Sequence, residues 1–330
     1  MEIKDHLMEM FPDYCLHRIE AVAFMACGLD DAVEILVKGK EVTLIDIVSR
    51  YHNRTKTDGT YYLKIARDNI YRESLTFYKC ALARKVLLTD KFYVEFKSED
   101  GIDAGAIKIE FFVKFFETIV KELFEQAGVY SLPKRSAGNL VLFKIVGVAI
   151  AHSILQRGPS FSTLHPYCYA VICGQSEEDV STLLTADVIP LSAATGNLLQ
   201  FISKIKECTS DQEINEVFNM EEGPAFDQLV NSSQWDATLS VTMYNRETLL
   251  SMLIFEELVI KRERQLKAIQ EGLKYLNLLE IVKRNFELFK SSFVSEEKSL
   301  TSNDLEFKYS EASTEKEQNA LSWFKNMSQI

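Results

Sequence analysis

The chain has 330 residues, 47% of them hydrophobic and 26% charged, enough to bury a core in one large domain or two to three smaller ones. A formal net charge of -11, with no Lys/Arg block, excludes binding to DNA or RNA through phosphate neutralisation and suits basic partners instead. Six scattered cysteines without framework spacing and an N-terminus without a basic-then-apolar leader point to a reducing compartment, cytoplasmic and/or nuclear.

Residues 1–40 read as a small helical unit. Ile3, Leu7 and Met8 predict a first short helix, ended by Phe11-Pro12. Ile19, Val22, Ala23 and Ala26 stripe a second, which Gly28 closes. Asp30 or Asp31 is placed to cap a third, carrying Val33, Leu36 and Val37. Three helices with Met10-Phe11-Pro12 after the first and Ile35-Leu36 near the end resemble a CUE or UBA-type ubiquitin-binding module. So small a unit cannot bury every apolar side chain. Met10, Phe11, Pro12 and Leu36 then either form a docking patch, which in that family meets ubiquitin, or pack on the lobe that follows.

Residues 41–60 read as a connector, polar and loop-like at Asn53–Gly59. Tyr61–Arg67 alternates as a strand and leads into Asp68-Asn-Ile-Tyr-Arg-Glu-Ser. Phe92, Val94 and Phe96 alternate with Tyr93 and Glu95, a second half-buried strand. Gly101 and Gly105 then break the extended run, with Asp103 between them placed to cap a helix. Phe112, Phe115, Phe116, Ile119, Val120 and Leu123 recur at helical spacing, opposite Lys114, Glu117, Lys121 and Glu122.

In this order Phe96, Glu99, Gly101, Ile102, Asp103, Gly105, Glu110, Phe111 and Phe112 resemble the hallmark of the HECT ubiquitin-ligase N-lobe. Ala106 departs from it, standing where that family usually has a second consecutive glycine. Alanine tolerates a helical first turn, so a tightened turn is expected there. Without the resemblance, the same residues read as a cap and hinge in an α+β domain. Ile65-x-Arg67-x-x-Ile70 also resembles a HECT segment. Arg67 either holds Glu99 or Glu110 through its planar guanidinium or is simply solvated.

Further on, Leu140–Leu155 is the longest apolar run. It carries Lys144 and His152 and is too short to span a bilayer comfortably, so it predicts a buried core helix. His165, Cys168 and Cys173 do not make a structural zinc site, which needs four ligands. Residues 174–240 change character, with helical runs such as Leu198–Ile205 and an acidic stretch from Asp211 to Glu222. The HECT resemblance implies that this is a small subdomain docking the ubiquitin-conjugating enzyme. Phe201, Ile202, Phe218, Phe226 and Trp235 are available for its groove or its core. Tyr244 onward predicts one long helix continued through Arg262, with Gly272 loosening its end. Asn245, Arg262, Gln265, Ile269, Gly272 and Leu273 resemble the closing N-lobe segment. Residues 296–313 have linker composition, and 314–330 a final helix with Trp323 and Phe324, as at the start of a HECT C-lobe.

The fold class expected is α+β and mainly helical. It is a HECT N-lobe-like bilobal domain over 61–295 with short β-strands, preceded by the three-helix CUE/UBA-like unit. HECT ligases pass ubiquitin through a cysteine in a Thr-Cys-x-x-x-Leu setting. None of the six cysteines here follows a threonine, so no catalytic residue is assigned. The resemblance therefore implies a ubiquitin-protein transferase whose thioester cysteine is missing, truncated or inactive. Its partners would be a conjugating enzyme, ubiquitin and substrate proteins, with no cofactor, metal, nucleic acid or membrane. The alternative is a non-catalytic adaptor.

Overall fold

The computed structural model describes residues 3–26, 29–37, 43–99, 105–192, 195–236 and 238–295. The expectations for Gly28, Gly101, Ile102, Asp103, the 296–313 linker and the 314–330 helix lie outside the described residues. Most described residues are helical; the strands are short.

Three helices, Ile3–Met10, Leu16–Met25 and Leu29–Val37, open the chain. Leu7, Ile19, Val22 and Leu36 are buried between them. Lys4 reaches Glu20 at 2.5 Å. Asp30 lies inside the third helix, one residue past its start, instead of at a cap.

The expected connector contains a helix, Leu44–Thr55. Its start is a capping box: Asp46 N–H donates to the Thr43 hydroxyl, and Thr43 N–H donates to the Asp46 carboxylate at 3.1 Å. Ile47 and Tyr51, one turn apart, are buried. Tyr51 Oη donates to the Leu276 carbonyl at 2.9 Å, so this helix belongs to the main body.

Strands Thr60–Ile65 and Lys91–Phe96 form a two-stranded parallel sheet, with Thr60 opposite Lys91 and Ile65 opposite Phe96. A parallel pair needs a crossover. Helices Ile70–Ala83 and Val86–Thr89 supply it. Phe92, Val94 and Phe96 all point inward, as their alternation predicts. The helix Ala106–Leu123 follows; Phe111, Phe112, Phe115, Phe116, Ile119 and Leu123 are its buried stripe. Gly105 precedes it with φ +110, in the left-handed region that favours glycine.

The centre of the molecule is the helix Leu140–Leu155, buried throughout from Ile145 to its end. Its first turn reaches solvent, with Val141 exposed. His152 sits among Phe77, Phe92 and Phe112, 4.6 Å from the Phe92 ring centroid. Tyr78 Oη lies 3.1 Å from its Nδ1. A hairpin, Phe124–Ala127 with Tyr130–Pro133, turns at Gly128 beside this core.

The long helix expected from Tyr244 is two helices. Arg246–Leu258 ends in a short 3₁₀ turn at Ile260–Arg262, and Glu263–Tyr275 follows. The break lets Arg262 turn inward. Gly272 loosens nothing: it is buried where Glu263–Tyr275 crosses Leu140–Leu155. A Cβ there would lie 2.2 Å from the Lys144 carbonyl oxygen, and one on Gly147 2.0 Å from that of Ile269.

Residues 196–232 build a three-helix cluster, Gly196–Glu207, Asp211–Phe218 and Gly223–Ser232. Phe201 is its centre, with ring centroids 5.2 Å from Phe226 and 5.7 Å from Phe218. Leu278–Arg284 and Phe286–Phe293 close the described chain, and Val294 bridges to Leu164.

Candidate functional site

Arg67 begins the turn directly after the first strand. Glu99 follows the end of the second, and Glu110 lies in the second turn of the aromatic helix. Although 32 and 43 residues away in sequence, both acids reach the one guanidinium. Arg67 Nε and Nη2 donate to the two oxygens of Glu99, each at 2.8 Å. Nη1 donates to Glu110 Oε1. The guanidinium also lies 4.0 Å over the Phe96 ring centroid. Alongside, Glu73 accepts from the Ala66 N–H at 3.1 Å and from Lys97 Nζ at 2.9 Å.

This cluster is a brace. The Arg67 hydrogen bonds hold the Glu99 carboxyl below its usual range, and those of Lys97 and Ala66 do the same for Glu73. Arg67 itself is pushed further up by Glu99 and Glu110. The guanidinium has its donors engaged by Glu99 and Glu110, and the cluster holds no thiol or hydroxyl nucleophile. What it does is tie both strand ends to one helix.

A second ion network was not legible in the sequence. Glu257 and Arg262 are both buried, each about 1% exposed. Arg262 Nη2 meets Glu125 at 2.6 Å, its Nε donates to the Pro133 carbonyl at 3.1 Å, and its Nη1 donates to the Glu257 carbonyl. Arg135 Nη1 bonds both Glu257 oxygens at 2.8 and 2.9 Å, and Lys261 bonds Glu257 at 2.9 Å. Gln265 Nε2 donates to the Arg135 and Ala137 carbonyls, each at 3.3 Å. Arg262 and Gln265, picked out by resemblance, therefore anchor the loop after the hairpin.

At the N-terminus the expected patch divides. Met10 is 51% exposed and Pro12 is exposed, while Phe11 is half-buried edge-on against Tyr14 at 5.6 Å. Leu36 is only 1% exposed, so it cannot share a surface with Met10. Tyr14 Oη donates to the Leu36 carbonyl at 3.4 Å. Among the described side chains here, Met8, Met10, Leu16 and Val37 are exposed and apolar.

The proposed groove divides in the same way. Phe201, Ile202 and Phe226 are buried in the core of the three-helix cluster, together with Ile205 and Ile214. Phe218 and Trp235 are half-buried, and Trp235 Nε1 donates to the Leu239 carbonyl at 3.0 Å. The apolar surface of this region is elsewhere. Leu191 is 87% exposed, Tyr244 98%, and Met220 and Leu239 are also exposed. Met243 N–H donates to Asp211 Oδ1 at 2.6 Å, and Arg246 Nη1 to the Cys208 carbonyl at 2.5 Å. These bonds hold the Tyr244 loop against the cluster.

Cys168 and Cys173 are buried, and burial pushes both thiols up to about 12. Cys208 is raised too, by burial and Glu213. Cys15 and Cys80 are exposed. His165 Nδ1 accepts from the Tyr167 N–H at 3.2 Å, capping the helix Pro166–Cys173. Among the described residues no group of three or more His, Cys, Asp or Glu could hold a metal ion, and no helix is long and apolar enough to cross a membrane.

No protein-family model matches this chain, and no curated protein matches it either.

Proposed function

We propose that this chain acts in ubiquitin transfer, as a HECT N-lobe-like module that docks a ubiquitin-conjugating enzyme. The observation that carries this reading is the Arg67 brace. Arg67, Phe96, Glu99 and Glu110, positions of the two sequence segments that resemble the HECT N-lobe, converge on one guanidinium. The compact three-helix cluster at 196–232, inside the 174–240 segment expected as the docking subdomain, supports it. In this reading the conjugating enzyme meets Leu191, Leu239 and Tyr244, not the buried Phe201, Ile202 and Phe226. Exposed aromatic and aliphatic anchors with a polar surround are the usual energetic centre of such contacts. The N-terminal helices contribute a ubiquitin contact through Met10 and its exposed apolar neighbours. In this reading no cysteine of this chain accepts ubiquitin, because none stands in the Thr-Cys setting of the family's thioester cysteine. Cys168, Cys173 and Cys208 are also buried with raised pKa, and such a thiol supplies almost no thiolate, the reactive form.

An NMR titration of a labelled conjugating enzyme with the purified chain tests the docking. Shifts that saturate, and that disappear with Tyr244→Asp or Leu191→Asp, support it. Should no conjugating enzyme respond at high protein concentration, the chain is a non-catalytic adaptor. A reducible ubiquitin adduct on any of its cysteines would overturn the claim that it passes no thioester.

A further inference from the structure

A cavity of about 540 Å³ opens between the helix Leu44–Thr55 and the turn that joins Glu263–Tyr275 to Leu278–Arg284. That volume falls within the range of small-molecule sites. Its floor is apolar, made by Ile47, Tyr51, Leu279 and Ile281, all buried. Tyr51 offers its ring and no acid, because its hydroxyl already donates to the Leu276 carbonyl and burial pushes its pKa up.

The remaining lining inverts the charge of the molecule. In a chain of net charge -11, Arg50, Arg54 and Lys274 surround this floor against one carboxylate, Glu280. Arg54 Nη2 donates to the Ala26 carbonyl at 2.5 Å, and Lys274 Nζ is ion-paired with Glu271 at 2.6 Å, which offsets part of its charge and leaves two of its three donors for a ligand. Glu280 has its own cation outside, Lys283 at 3.9 Å. The turn residue Asn277 keeps a left-handed backbone, φ +60, at the edge of the opening.

We propose that this cavity binds a small amphipathic organic anion, an apolar body carrying one carboxylate, sulfonate or phosphate. The body rests on Ile47, Leu279 and Ile281. The anionic group meets Arg50 and Lys274, where charge-assisted hydrogen bonds are stronger than neutral ones. The apolar floor supplies buried area, and the cations supply orientation and selectivity for charge. The site lies on other elements than the Tyr244 surface and does not depend on ubiquitin transfer.

Fluorescence titration of the full chain tests this with two probes, 1-anilinonaphthalene-8-sulfonate and its neutral analogue N-phenyl-1-naphthylamine. The sulfonate should saturate at one site. Arg50→Gln with Lys274→Gln should weaken it about tenfold or more, since hydrogen bonds to charged groups are involved, and change the neutral probe by less than about twofold. Thr55→Trp, placed on the cavity wall, should abolish both. If the double variant does not fold, the exposed Lys274→Gln alone carries the comparison and should weaken only the sulfonate. Absence of a saturable site overturns the proposal. So does an unchanged sulfonate affinity in the charge variants, or unchanged binding of both probes in Thr55→Trp. Because neither ubiquitin nor a conjugating enzyme is present, this result and that of the docking titration stand apart.

Discussion

Gly147 and Gly272 lie back to back where the two central helices cross, and a Cβ built on Gly272 would fall 2.7 Å from the Gly147 Cα. The obstacle on both sides is backbone, which a change of rotamer cannot move. The helix pair is therefore closed to any larger residue at these two positions.

Gly147→Ala and Gly272→Ala should each destabilise the protein by roughly 2 kcal/mol or more, as overpacking a dense core does. Gly138→Ala, with open space around its Cβ, is the control and should change little. Urea denaturation of the three variants checks it.

Stability should fall on acidification through His152. Burial, with the charge of Lys108 adding to it, pushes its pKa down to about 3 in the folded chain, against an unfolded value near 6.5. Between those limits the unfolded chain takes up a proton that the folded chain refuses. The contribution is full above about pH 6.5 and shrinks as pH drops, by on the order of 2 kcal/mol near pH 4.5. Histidine NMR should show the His152 ring neutral in native protein at pH 5, while urea midpoints decline.

Removing the Glu257 charge alone should hurt more than removing it together with Arg262. Glu257→Gln removes the carboxylate that Arg135 and Lys261 bond and that lies 3.6 Å from buried Arg262 Nη1, and breaking a buried pair in this way typically costs about 3–5 kcal/mol. Glu257→Leu combined with Arg262→Met should recover a large part of that loss. Chemical denaturation of the single and double variants decides between a net stabilising network and one that is only costly to break.

Leu36→Ala and Met10→Ala separate folding from surface in the N-terminal unit. Truncating buried Leu36 should cost about 2–4 kcal/mol for the lost transfer energy and cavity. Met10→Ala should leave stability within about 0.5 kcal/mol and weaken only the proposed ubiquitin contact. Equal losses of stability would place Met10 in the core.

Arg67→Lys should behave like Arg67→Ala, lowering the melting temperature slightly at low salt and not at all at high salt. The ion pairs are half-exposed and screened, and lysine cannot reproduce the fork that engages both oxygens of Glu99. Melting curves at two ionic strengths check it.

The sequence by itself determined the local elements. Phe92, Val94 and Phe96 declare a strand by their period of two, and Phe112 to Leu123 a helix by recurrence at helical spacing, because each pattern depends only on near neighbours. The Thr43–Asp46 box was equally local, and the helix at Leu44–Thr55 was readable from it and from the Ile47/Tyr51 spacing. Tertiary structure alone decided which apolar residues face water. Leu36 and Met10 are both apolar, yet one is 1% exposed and the other 51%. It also decided that Gly272 is a close-packing site and that Glu257 is buried. Those properties belong to the partner across the interface, and partners far apart in the chain leave no trace in one another's local pattern.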